Sequence, residues 1–78
     1  MDIEWRPKMT DHVYSITEIV GTSKTSIEDA VQHGIRTAAQ SLRNLDWFEV
    51  KEIRGHIVDG EVSHYQVCMK IGLRYDPK

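Results

Sequence analysis

Trp47, Gln66 and Arg74 are the side chains best suited to chemistry in this 78-residue chain. An indole offers a flat, electron-rich face on which another planar heteroaromatic can stack. Such stacking contributes about 1–3 kcal/mol per ring. A glutamine amide presents one acceptor and two donors, which match a ring edge bearing carbonyls and an N–H. A guanidinium takes a phosphate through a two-pronged hydrogen-bond fork. Aromatic plate, amide and guanidinium on one face of a sheet point to a phosphorylated planar ligand. An exposed tryptophan is also, and more often, a contact between subunits. Residue types and spacing leave both readings open.

Other chemistries find little support. Cys68 is the only cysteine, so no internal disulfide can form. A single thiol within an apolar strand reads as a small buried hydrophobe in a reducing compartment. The four histidines show no Cys/His ligand spacing, which argues against zinc. His56 and His64 lie near a hairpin tip, where they read as solvent- or pore-lining rather than catalytic. No nucleophile–base pair, carboxylate pair or G-x-G-x-x-G fingerprint is evident, so no enzyme activity is expected. The net charge of −2 gives no basic footprint for nucleic acid. No apolar run is long enough to span a bilayer and no signal-peptide core is seen, so the chain reads as cytoplasmic.

Hydrophobic period places these residues on elements. Residues 1–9 are polar, contain Pro7 and precede a second methionine. They read as a disordered or expression-derived extension, with Trp5 exposed and without function. Residues 10–78 then form one domain. His12 to Val20 is rich in β-branched and aromatic residues and predicts a strand, ended by Gly21-Thr22-Ser23. Ser26 with Asp29 three positions on resembles a capping box, although Thr25 or Ser23 could cap instead. Ile27, Ala30, Val31, Gly34, Ile35, Ala38, Ala39 and Leu42 make one apolar stripe of a helix of about 18 residues. Its small members predict close approach to a curved sheet. Asn44 suits a left-handed residue closing the helix, with Leu45 making the hydrophobic contact that follows.

Residues 47 to 58 and 61 to about 75 read as two strands joined by Asp59-Gly60, a type I′ hairpin signal. If Val58 faces Glu61, then Trp47 faces Gly72, Phe48 faces Ile71, Val50 faces Met69, and Glu49 faces Lys70 and forms an ion pair with it. Gly72 would leave the indole unobstructed, with Gln66 nearby on the adjacent strand. Tyr65, Val67, Met69, Ile71 and Leu73 share the face under the helix. Gln66, Cys68, Lys70, Gly72 and Arg74 share the face of Trp47. In the second strand Glu52 and Arg54 take core parity while Ile53 and Ile57 do not. Either a bulge near Lys51–Ile53 exchanges the faces, or the hairpin projects beyond its helix; projection is favoured. The expected fold is α+β, with a β-α-β-β order and a three-stranded antiparallel sheet curled around one helix. A chain this short buries only about 60% of its unfolded surface, so partner subunits are the available staple. Trp47 lies on a face that a monomer with one helix cannot bury.

Asp11-His12-Val13-Tyr14, the Ile19-Val20-Gly21-Thr22-Ser23 turn, Leu42-Arg43-Asn44-Leu45-Asp46-Trp47-Phe48-Glu49-Val50, Arg54-Gly55-His56 and Tyr65-Gln66-Val67 closely resemble the dodecins. These are small flavin-binding proteins, and the match runs without gaps from about Asp11 to Arg74. The resemblance implies a hollow homododecamer binding flavins as stacked pairs between subunits. It implies that Trp47 sandwiches the pair, that Gln66 meets the isoalloxazine edge, and that Arg54 and Arg74 serve the phosphate and nearby groups. Arg74 favours FMN over riboflavin. Coenzyme A is a further ligand of some members, with no residues assigned to it here. The implied function is flavin storage, buffering and photoprotection. A flavin-dependent reductase and a ligand-free structural assembly are the alternatives. Arg54 poses a conflict, since parity places it on the core side; contact across a subunit boundary from the projecting hairpin would reconcile the two.

Overall fold

A computed structural model describes residues 12–75; the expected extension over residues 1–9 lies outside them. The order is β1 (Tyr14–Ser23), α1 (Ile27–Ala38), β2 (Leu45–Val58) and β3 (Glu61–Arg74). The sheet is antiparallel with order β1-β3-β2, so β3 is central and both other strands are edges. This is the expected β-α-β-β fold. Gly21-Thr22-Ser23, expected to end β1, are instead its last three residues. Gly21 pairs with Val67 and Ser23 with Tyr65, and these ladder bonds outweigh glycine's weak strand preference.

Helix α1 starts as the sequence predicts. The Ser26 side chain accepts from Asp29 N at 2.9 Å. The reciprocal half of the box is replaced. Ser23 Oγ donates to Asp29 Oδ2 at 2.7 Å and accepts from Thr25 N at 2.8 Å, so a β1 residue closes the cap. The helix is 12 residues rather than about 18, with its C-cap at Ala39. Ala38 O accepts from both Ser41 N and Leu42 N, and Thr37 O accepts from Gln40 N. These bonds satisfy the last carbonyls in tight turns and end the helix. Asn44 is left-handed, as expected, at φ 62°. It opens β2 rather than closing α1. Its Nδ2 donates to Arg74 O at 3.1 Å, while its own carbonyl accepts from Arg74 N at 3.0 Å.

Val67, Met69, Ile71 and Leu73 of β3 form the core with Ala30 of α1. Close approach is permitted by two glycines. Gly34 is placed so that a Cβ would lie 3.1 Å from Gly21 Cα and 2.8 Å from Met69 Cε. A Cβ on Gly21 would run into the Ala30 carbonyl. The helix lies over β1 and β3. The helix-side face of β2 is therefore left open, with Phe48, Val50, Ile53 and Ile57 exposed.

The hairpin register is the expected one at Trp47↔Gly72, Phe48↔Ile71, Val50↔Met69 and Val58↔Glu61. Asp59 and Gly60 both have positive φ, 53° and 78°, as a type I′ turn requires. Glu49 does stand opposite Lys70. The ion pairs among the described residues are nonetheless Lys51–Glu18 and Arg54–Glu52. Register shifts fall between Val50 and Glu52, and between His56 and Ile57. Lys51 is surplus on β2 and Ser63 on β3, so the two offset each other and the two-residue turn still closes. The hairpin tip does project, since every residue from Lys51 to Val62 is exposed. Projection is not what decides the faces. The Lys51 bulge exchanges them, and Arg54 lands opposite Gln66 on the face of Trp47. The conflict over Arg54 disappears without recourse to a neighbouring subunit.

Candidate functional site

The sheet face turned away from α1 carries two clusters. The first lies at the β1/β2 start. Trp47 of β2 stands opposite Gly72 of β3, and Tyr14 of β1 opposite Arg74. Gly72 does not leave open space above it. A Cβ there would collide with indole Cε2, Cζ2 and Nε1, so the glycine is the seat of the ring. Trp47 is half-buried rather than bare. Tyr14 adds to its shelter, with ring centroids 6.3 Å apart and planes tilted by 56°. Partial burial, and then the Asp46 carboxylate, hold the Tyr14 phenol above its ordinary value of 10.0. Asp46 is itself surplus in the ladder, between Leu45↔Leu73 and Trp47↔Gly72.

The second cluster lies toward the hairpin tip. Arg54 Nη1 donates to Gln66 Oε1 at 3.3 Å. Its Nη2 donates to Glu52 Oε1 at 2.6 Å and lies 3.5 Å from Cys68 Sγ. The hydrogen bond to Glu52, and then the fields of Cys68 and Glu52, keep the guanidinium even more firmly protonated than usual. His56 and His64 follow, directly opposed with rings 6.2 Å apart, and Ser63 Oγ lies 2.9 Å from His64 Nδ1. Among the described residues no group of three or more His, Cys, Asp or Glu could hold a metal ion.

All four sequence-predicted site residues share one face, but they are not brought together. Trp47 and Arg74 belong to the first cluster, Arg54 and Gln66 to the second. Gly72 and Gln66 are six residues apart on one strand, which is about 20 Å. The expected closeness of Gln66 to Trp47 is therefore absent within one chain. A single three-ring heterocycle cannot touch both. Tyr14, Asp46 and Glu52 were not foreseen as neighbours of the site, whereas Cys68 was expected on its face. Glu52 and Arg54 alternate in sequence with Ile53, which is a signal that they share a side; the Tyr14–Arg74 pairing depends on the β1–β3 register, which no short turn fixes.

Known proteins share this fold. The dodecin family model matches residues 13–76. The chain belongs to the dodecin family. A dodecin of Thermus thermophilus is 48% identical over 64 residues, covering 82% of this chain and 93% of the relative. The solved dodecin of Streptomyces davaonensis is 50% identical, with a TM-score of 0.83, covering 87% of this chain and all of the other. That of Streptomyces coelicolor is 47% identical, also at 0.83, covering 90% and all. Dodecins are small flavin-binding proteins that form oligomers, and they are not a known enzyme family. Among the described residues no helix is long and apolar enough to cross a membrane.

Proposed function

We propose that this dodecin stores and buffers FMN, held as stacked pairs between subunits of a dodecamer. The observation that carries the reading is the division of one sheet face into two half-sites about 20 Å apart. One half-site holds the stacking surface and Arg74. The other holds a hydrogen-bonding edge, Gln66, with Arg54. Neither is a complete flavin site, and two copies placed edge to edge would supply both.

The residues fit such a ligand. Arginine has donors only, so the Gln66 atom facing Arg54 is the amide oxygen. The amide NH2 is then left to donate to a ring carbonyl. Trp47 supplies an indole held at a fixed tilt by Gly72 and Tyr14. Arg74, exposed beside it, suits a phosphate and favours FMN over riboflavin. Stacking against indole blocks a ring face from substrates and quenches the excited flavin by rapid electron transfer and return. Both effects suit sequestration and protection from light rather than turnover. Coenzyme A forms no part of this reading.

Titration of the purified protein with FMN, followed by flavin fluorescence and native mass, tests it. Quenching by a species of dodecameric mass is expected. Trp47→Ala should weaken binding by about 1–3 kcal/mol per stacked ring, or about 5- to 150-fold, and restore fluorescence to the bound flavin. Full quenching in that variant would remove Trp47 from the mechanism. A wild-type protein that leaves FMN fluorescence unchanged would overturn the whole reading.

A further inference from the structure

Glu52 touches none of the stacking surface, yet it makes the shortest polar contact of the second half-site. Its carboxylate lies 2.6 Å from Arg54 Nη2. The bulge at Lys51 puts Glu52 opposite Cys68 and Arg54 opposite Gln66, so acid, guanidinium, thiol and amide form one patch. Both members of the ion pair are about half exposed, at 50% and 59%, so the pair does little for folding. Its effect is directional. A guanidinium gripped at Nη2 by Glu52 is turned so that Nη1 meets Gln66 Oε1. That contact in turn decides that Gln66 presents its donor.

The same carboxylate offsets the charge of Arg54. At this half-site a phosphate therefore meets a guanidinium already paired with an anion. Among the described residues Arg74 makes no ion pair. A negative group fixed beside the site repels a phosphorylated ligand and is indifferent to a neutral one.

We infer that Glu52 is a positioning and specificity-determining residue of the flavin site: it turns Arg54 onto Gln66, and its charge sets how strongly FMN is preferred over riboflavin. This rests on the flavin-binding reading above. Two properties, reach and charge, are thereby assigned to one side chain, and different substitutions separate them. Glu52→Gln keeps an oxygen for Arg54 and removes the charge. Glu52→Asp keeps the charge and shortens the reach. Glu52→Ala removes both.

FMN and riboflavin affinities of the assembled protein, measured by fluorescence quenching at low and at moderate salt, test the inference. In Glu52→Gln, riboflavin affinity should stay near that of the parent. The ratio of FMN to riboflavin affinity should rise roughly three- to fivefold at low salt and fall back as salt screens the charge. In Glu52→Asp the ratio should stay at the parent value while both affinities drop. Glu52→Ala should lower riboflavin affinity as well, because Arg54 no longer pins Gln66. An unchanged ratio in Glu52→Gln, or unchanged riboflavin affinity in Glu52→Ala, would overturn the inference while leaving flavin binding itself standing. A parent protein that binds neither flavin would overturn both.

Discussion

At the scale of single residues, Tyr14 is the least expected part of the site. Its ring lies beside Trp47, and the Asp46 carboxylate acts on its hydroxyl. Folding raises the phenol above 10.0, so the folded protein holds the proton more tightly than the unfolded chain does. Stability is then level below pH 10, falls as pH rises from there through the folded value, and levels off above it. Tyr14→Phe should flatten this alkaline decline in melting curves taken across the same range. An identical decline in the variant would locate its cause elsewhere. Trp47, Gln66 and Arg74 stood out in the sequence because each residue type carries a distinct chemistry, whereas Arg54 was named only by the family resemblance. Their partners stood out less. Glu52 looks like an ordinary surface acid until backbone pairing sets it opposite Cys68, and Asp46, surplus in the ladder, has no pairing to reveal it.

At the scale of elements, the hairpin was legible almost residue by residue. A two-residue turn leaves a single register, and that register fixes every pair up to the first irregularity. Bulges are harder to read, because an extra residue carries no composition signal of its own. Lys51 betrayed itself only through the misplaced parity of Glu52, Ile53 and Arg54. The end of α1 was illegible for a different reason. Ala39 and Leu42 continue the apolar stripe, but turn hydrogen bonds to Thr37 and Ala38 win over a further turn of α-helix. The small residues did announce the close approach of helix to sheet. Gly21→Ala should meet the Ala30 carbonyl and cost about 1–3 kcal/mol as overpacking. Thermal melting at fixed protein concentration measures this. A variant as stable as its parent would show that the helix can move aside.

At the scale of the whole molecule, the described chain measures 52 × 31 × 14 Å. One helix cannot cover a sheet of that length, and Ile53 remains 52% exposed on the same side as the helix. On a lone subunit, a charge at such a position would change stability by no more than about 0.5 kcal/mol. Ile53→Glu should therefore leave the circular dichroism of the fold intact while lowering native mass and abolishing FMN quenching. Retention of the full assembly would mean that this surface faces solvent in the oligomer. The separation between the Trp47 and Gln66 ends reaches further still. Where each subunit lends one end to a neighbour and borrows the other, damage is shared out by position and not by chain. A shell built from two kinds of crippled copies, one spoiled at each end, would still contain some seams made wholly of sound halves.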